Sequence, residues 1–487
     1  MKNLSVAVLD EWLRWTLTPN ELGFKASAVW NPSPSVHHET DPWPFPKQIV
    51  IGPEVTVETG SRFSPPPCAF ILENQSQMAL VAVGADAGWH RWNEMIIKAA
   101  SDQVTVTIDL EGMTPPPKAA GHVQLHVFPG QSGESRHALL ARGLQKLYPE
   151  AFEPVPPPPT WWLKPIYCGW GDQVTISMYL EGVGPEPRAV NYCTQGLYER
   201  WMNRLDEAEV PYGTILIDHG WSPAGDWRPI LTRWPDLKGF IRRQHERGRR
   251  VLLWLSTWLW DGLEDELCTF AGDHKLTADP TNPRYMERIA GWVHDLVGPD
   301  GYDADGFKVD QLNFCPSYRH PSGGRGFGTN FRYEQPQGPI RQHGDGWGIE
   351  LLYRLQKQIY DAAKSVKPDA LITSSTVHPY FHDSFDMVRL HDMANFTPDV
   401  FAAMQARADL AKAALPHKPI DADNWIHTDY DMWLRYTCAS RAIGVPCIFF
   451  AERFMVDWKN EPATRPVAMA DLRLIARAWS KGASSAG

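Results

Sequence analysis

The sequence predicts an α/β protein in which a (β/α)8 TIM barrel follows an N-terminal β-sandwich. Three observations carry this reading. Up to about residue 155 the apolar runs are short, rich in β-branched residues and separated by turn formers. The run Pro154-Val-Pro156-Pro-Pro-Pro159 then interrupts the chain with a segment that can be neither helix nor central strand. Beyond it, short strand-like runs alternate with helix-length segments, the pattern of βαβ units on a parallel sheet. At 487 residues the chain exceeds one simple domain. The expected division is residues 1–155 for the sandwich and 160–487 for the barrel.

Each element has its own justification. Before the prolines, strands are expected at 50–51, 56–59, 69–72, 79–83, 104–108 and 123–127, with turns at Asn74-Gln-Ser, Glu111-Gly-Met and Pro115-Pro-Pro117. A helix over 137–147 precedes the proline run. After it, strands are expected at 166–169, 214–218, 251–255, 306–310, 371–374, 387–391, 419–423 and 447–450. Helices fit between them at 195–208, 237–248, 283–297, 349–365, 400–414 and 431–441. Eight such units in about 300 residues suit a (β/α)8 barrel. The glycine-rich, aromatic loop over 311–348 is long enough to be expected to be functional or mobile.

Composition narrows the partners. A net charge of −10 argues against nucleic acid and anionic membrane, which both need a basic surface. Seven irregularly spaced cysteines give neither a CxxC pair nor an even disulfide framework, so a reducing, cytoplasmic setting is expected. The N-terminus reaches Asp10 and Glu11 after too short an apolar stretch for a signal peptide. No window approaches 18 uninterrupted apolar residues. A homo-oligomer is left open. The 22 tryptophans are many, and several sit beside Gly, Asp or Pro, as in Cys168-Gly-Trp170-Gly and Gly225-Asp-Trp227. Such rings suit the apolar faces of sugars, although others must fill a core this large.

The stretch Asp303-Ala-Asp305-Gly-Phe-Lys308-Val-Asp310-Gln-Leu-Asn313 organises the barrel. Asp310 falls at the carboxyl end of its strand, where barrel active sites lie. Lys308, two residues earlier, shares its face and would keep the carboxylate ionised. A Lys–Asp pair that merely ties a strand to a loop would look the same in isolation. Other strand ends supply more polar and aromatic groups: Trp170; Asp218 and His219; Trp254 and Trp258; Ser374 and Ser375; His391 and Asp392. In a barrel these converge on one mouth, which favours an active site.

Three motifs then carry a family resemblance. Ile215-Leu-Ile-Asp218-His-Gly-Trp221 with Gly225-Asp-Trp227 resembles the "IDDGW…GDW" signature of clan D glycoside hydrolases, the α-galactosidases of families 27 and 36 with the raffinose synthases. Asp305-Gly-Phe-Lys308-Val-Asp310-Gln is similar to "DGVKVD", whose last Asp is the family nucleophile. Val388-Arg389-Leu-His391-Asp392 is similar to "VRxSDD", whose first Asp is the acid/base. The resemblance covers about 165–455, leaves 257–276 without a counterpart, and is strongest to the raffinose-synthase-like branch of family 36.

This resemblance implies a retaining α-glycosidase, α-galactosidase-like, acting on an oligosaccharide or glycoside. Its alternatives are an α-galactosyl transglycosylase, an α-glycosidase for a C6-modified sugar, and a catalytically dead sugar-binding barrel. Asp310 would be the nucleophile and Asp392 the acid/base, the latter in an apolar shell with Leu390 and Met393. Lys308, Asp218, Trp170, Trp221 and Trp254 would line the sugar subsite, and Arg389 would hold a hydroxyl or orient a carboxylate. The Ser374–His378 segment replaces the family's strand-5 motif and adds His378 to the candidate contacts.

The departures concern the sugar. His219 stands where the family has a second Asp, and His391 and Met393 replace two residues of the "SDD" triplet. Beside Asp218 the imidazole is expected to stay protonated if it lines the pocket; otherwise it packs against the loop at Trp227. No C-terminal β-sandwich is expected. Neither is a metal or cofactor: 301–312 lacks both end carboxylates of an EF-hand, and Pro379 breaks the zinc-helix spacing of His378 and His382. Gly323–Gly328 follows no strand, so it is not read as a phosphate loop, and His37-His38 reads as a solvated loop pair.

Overall fold

The computed structural model describes residues 5–33, 46–58, 65–93, 95–100, 102–182, 186–312, 315–317, 338–392, 399–426, 429–457 and 463–481. Most of the 311–348 loop, Gly323–Gly328, His37-His38 and Met393 lie outside them.

Alternating burial sets the N-terminal strands. Trp12–Leu17 turns Leu13, Trp15 and Leu17 inward and Arg14 and Thr16 outward. Two five-stranded antiparallel sheets result. One runs in the order Val6–Val8, Trp12–Leu17, Val104–Asp109, Met95–Ala100, Glu54–Glu58; the other Val123–Pro129, Met78–Ala85, Ala69–Glu73, Ala28–Asn31, Lys47–Val50. The helix Arg136–Leu147 starts on Ser135, whose hydroxyl accepts the Ala138 N–H, and packs so closely on Leu80 that Gly143 leaves no room for a side chain.

Beyond the prolines, eight strands pair in parallel and in sequence order: β1 (Ile166–Cys168), β2 (Thr214–Ile217), β3 (Arg250–Ser256), β4 (Gly306–Asp310), β5 (Leu371–Ser374), β6 (Met387–Arg389), β7 (Ile420–Asp421) and β8 (Cys447–Ile448). β8 returns to pair with β1, and a parallel bridge from Asp421 to Val445 brings β7 against the lead-in to β8, so the sheet nearly closes on itself. This is a parallel barrel sheet accompanied by antiparallel β layers. Gly306 opens β4 at φ 139, and a Cβ there would collide with the Leu371 carbonyl oxygen of β5. Only glycine fits that approach.

Several elements were not legible in the sequence. The helix Trp170–Glu181 begins one residue after Gly169, with no polar spacer to signal it. The segment after β3 forms a three-stranded antiparallel sheet, Cys268–Ala271, His274–Ala278 and Ile340–Arg341, whose third strand is remote in sequence. No helix among the described residues is long and apolar enough to cross a membrane.

The N-terminal sheets lie against the loops at the carboxyl ends of β4 and β5. The Ile349 and Glu350 N–H groups donate to the Trp92 and His90 carbonyls at 3.0 and 2.8 Å, and Arg91 pairs with Asp345 at 2.6 Å. This is where the structure places His378. The ring is buried edge-on to His90 and Tyr148, and its Nδ1 accepts the Tyr380 N–H. His90 in turn stacks on Tyr380 and meets the Tyr148 hydroxyl at 3.1 Å. His378 is therefore packed into an aromatic seam, not presented to a sugar.

Burial pushes His378 down to about 3, and burial with the nearby His378 drives His90 well below its ordinary value of 6.5. Both are held neutral when folded but bind protons when unfolded, so stability is full above pH 6.5 and is lost as pH falls toward 4. Each such imidazole is expected to cost about 1.4 kcal/mol per pH unit in that window. Denaturant unfolding at several pH values checks this. His378→Phe should flatten part of the slope; an unchanged slope would place the acid sensitivity elsewhere.

Candidate active site

The carboxyl ends of β2, β4, β6 and β7 bring their polar residues together around two buried cations. Lys308 points inward from β4, as the period of two requires, and its ammonium lies 2.9 Å from Asp218 on β2 and 3.4 Å from Asp310. Burial alone would lower its pKa, but Asp218 and Asp310 outweigh this and keep it charged. Arg389, at the end of β6 and 2% exposed, donates through Nη2 to Asp310 at 2.8 Å. Its Nη1 donates to Asp392 at 3.0 Å and to Asp423 at 2.8 Å. One guanidinium thus holds three carboxylates.

Asp310 is the most heavily served group. Its Oδ1 accepts from Arg389 and from the Gln311 N–H, and its Oδ2 accepts from the Trp254 indole at 3.0 Å. Burial would raise its pKa, yet Arg389 and Lys308 hold it well below the usual carboxylate range. It is ionised at any working pH, as a nucleophile must be. Three non-glycine residues around it adopt the left-handed backbone region: Gln311 after β4, His391 after β6 and Asp423 after β7, with φ of 58, 66 and 51. Strain of this kind persists where neighbours over-determine it, here aiming side chains into one space.

No protein-family model matches the chain, and no curated protein does. Solved structures share its fold. They include a cycloalternan-degrading enzyme from Trueperella pyogenes (15% identity, TM-score 0.57, covering 97% of this chain and 67% of that one). A GH31 sulfoquinovosidase from E. rectale aligns at 12% and 0.58, over 96% and 67%. A GH31 α-xylosidase from a soil metagenome, complexed with xylose, aligns at 11% and 0.60, over 98% and 66%. The chain spans about two thirds of these neighbours' length. At such identities the likeness is one of fold.

The environment of Asp392 differs from the apolar shell expected. Leu390 is buried nearby in sequence, but the carboxylate itself faces Arg389 and, at 3.9 Å, the His391 ring, and is 35% exposed. Burial and Asp310 would raise its pKa; the charges of His391 and Arg389 hold it at about 2. Asp392 is thus held as an anion.

His219 also departs from expectation. Its ring does not stack on Trp227 but on Trp254 at 4.2 Å, parallel to Trp170 at 6.2 Å. Burial between rings outweighs the attraction of Asp218 and Asp310 and lowers its pKa to about 4. The imidazole is neutral at pH 7, not protonated. Trp254, through its hydrogen bond to Asp310, connects this stack to the nucleophile candidate. Trp221 does not join them; it is fully buried and its indole donates to the Trp254 carbonyl at 2.8 Å, bracing β3 from behind. Ser374 likewise faces Gln356 and Thr376 inside the protein.

Sequence reasoning expected a strand at 419–423, where β7 lies, but missed the acids it brings to the site. Asp421 ends β7 and Asp423 follows two residues later at φ 51, wholly buried with its Oδ1 accepting the Asn424 and Trp425 N–H groups. Burial, then the charge of Asp423, push Asp421 up to about 7. The spacing Asp-Ala-Asp at a strand end was a readable signal. Among the described residues no cluster of three or more His, Cys, Asp or Glu side chains is arranged for a metal ion.

Removing the shared ammonium would leave Asp218 and Asp310 as adjacent buried carboxylates. Lys308→Met is expected to destabilise the protein by about 3–5 kcal/mol, the usual penalty for orphaning a buried charge. Chemical denaturation measures it, and a loss below about 1 kcal/mol would mean the pair is not desolvated as described.

Proposed function

We propose that this chain is a retaining α-glycosidase of the clan D type, with Asp310 as nucleophile and Asp392 as acid/base. The observation that supports this most is the single guanidinium of Arg389 bonded to both carboxylates. Such close placing suits the separation of about 5–5.5 Å in retaining pairs better than the 6.5–9.5 Å that leaves room for an inverting water. Two fold neighbours are named as family 31 enzymes, while the motifs resemble family 36; both families belong to clan D, so the reading is made at that level.

The steps follow from the charges. Asp310 attacks the anomeric carbon as the glycosidic bond breaks, and Asp392 gives its proton to the departing oxygen. The resulting glycosyl ester neutralises Asp310. Asp392, now a base, takes a proton from water as the water oxygen attacks the same carbon and frees Asp310. Because Arg389 and His391 hold Asp392 as an anion, a proton must be taken up with the substrate, whose ring displaces water and makes the charged form less favourable. Arg389 limits the charge build-up on both carboxylates throughout.

The sugar is a finer matter. The motifs favour α-galactosides, but His219 removes one of the two carboxylates that would receive that sugar's hydroxyls. A neutral imidazole both donates and accepts, which suits an altered C6 or a different hexose equally. The fold neighbours are named for xylosides, a sulfoquinovoside and cycloalternan. A panel of aryl α-galactosides, α-glucosides, α-xylosides and C6-modified α-glycosides, with β-glycosides as controls, discriminates these. Failure of the intact protein on every α-glycoside would favour a sugar-binding barrel.

Two kinetic outcomes are expected on the best substrate. Asp310→Ala should abolish turnover, while Asp392→Ala should slow poor leaving groups by about 10²–10⁴-fold, spare good ones, and regain rate with azide. The alkaline limb of kcat should lie at higher pH than that of kcat/KM, since the former reports the substrate complex and the latter the empty site. Coincident limbs would mean that substrate does not drive the protonation of Asp392.

A further inference from the structure

The third carboxylate on Arg389 takes no role in the steps above, and its position gives it one. Asp423 lies one strand beyond Arg389, and its Oδ2 accepts from the same Nη1 that donates to Asp392, at 2.8 against 3.0 Å. Its Oδ1 is fixed by the Asn424 and Trp425 N–H groups at 2.6 and 2.8 Å, and its backbone N–H donates to Asp421 at 2.9 Å. The φ of 51 at Asp423 itself turns the chain so that these contacts form together. It is fully buried, whereas Asp392 is 35% exposed.

We propose that Asp423 is a positioning residue that draws the Nη1 charge of Arg389 away from Asp392 and so lets Asp392 take up the proton it must deliver. This rests on the reading of Asp310 and Asp392 as a glycosidase pair. The reason is competition for one donor group. Nη2 is committed to Asp310, so Nη1 is what Asp392 can receive, and a rigid buried anion holds its share more firmly than a partly exposed one. An added anion beside Asp392 also disfavours its charged form directly. Were Asp423 absent, Asp392 would keep the guanidinium to itself and remain a carboxylate when a leaving group needs a proton.

Other charged and titratable groups face Asp423 from the surrounding elements. They are Arg389 on β6, Asp421 at the end of β7, Tyr436 on the helix Tyr430–Ala439 and Cys447 on β8, while Lys308 on β4 faces Asp421. Tyr436 donates to the Ala422 carbonyl at 2.5 Å, and burial pushes its hydroxyl and the Cys447 thiol well up, so neither competes for the guanidinium. Burial and the charge of Asp423 push Asp421 up to about 7.

Asp423→Asn tests the proposal. It keeps the Oδ1 acceptor for the two loop amides and removes the charge and the acceptor facing Arg389. The alkaline limb of kcat/KM is expected to move down by about one pH unit, with aryl glycosides of poor leaving groups losing about tenfold more rate than good ones. Asp423→Glu, which restores a carboxylate, should recover part of both. Uniform loss across leaving groups with an unmoved limb would overturn the proposal and leave Asp423 a fold residue. Should Asn disturb the loop, Asp423→Ser retains an oxygen for the amides and is read in the same way. A crystal structure of the folded variant gives an answer independent of turnover: Nη1 bonded to Asp392 alone supports the proposal, and Nη1 unmoved overturns it. Inactivity of the unaltered protein on all glycosides would count against the glycosidase reading, while this structural comparison would still decide the role of Asp423.

Discussion

A guanidinium buried at the mouth of a parallel barrel is the constraint on which the rest of the site depends. Desolvating Arg389 is unfavourable by several kcal/mol unless its charge is met at close range. Asp310, Asp392 and Asp423 meet it from β4, the loop after β6 and the loop after β7. Those carboxylates would repel one another without it. Lys308 has the same role a layer deeper, between Asp218 and Asp310. Two cations therefore fix the positions of four acids, and the left-handed backbone at Gln311, His391 and Asp423 is the geometric consequence of crowding them together.

The electrostatic result is asymmetric. Asp310 touches both cations and is locked as an anion. Asp392 shares half of one guanidinium and is only partly buried, so its protonation responds to what enters the site. On the proposed reading, the two acids are separated by how many cations each one contacts, not by one being set in an apolar pocket. The stack of His219 on Trp254, with Trp170 beyond it, forms a flat, uncharged wall beside the nucleophile candidate. An aromatic wall of that kind suits a sugar ring.

Much of this could be read from residue order. Lys308 and Asp310 are two apart on a short apolar strand, so their common face follows from the pleat alone. The alternation of strands and helices after Pro159 gave the barrel, because each strand had its own apolar run. What sequence could not supply was which partners meet across strands. Asp218 next to His219 suggested a protonated imidazole, but the two tryptophans that bury it come from residues 35 and 49 positions away along the chain in opposite directions. Trp221 and Trp254 looked alike beside loop residues, yet one braces the back of β3 while the other holds Asp310. His378 ended a plausible strand-5 segment and proved to belong to the seam with His90 and Tyr148, which no local pattern reveals. Asp423 escaped notice because it lies past the end of β7, and the turn at φ 51 that brings it to Arg389 leaves no trace in the strand pattern.

The claim at the centre of this account is that Asp310 forms a covalent bond with the substrate's anomeric carbon. A fluorinated α-glycosyl fluoride, which slows the second displacement more than the first, allows that bond to accumulate. Intact mass followed by peptide mapping should then show one added glycosyl group, on the peptide carrying Asp310, and none on Asp310→Ala. A label on Asp392, or time-dependent inactivation without any adduct, would contradict the account.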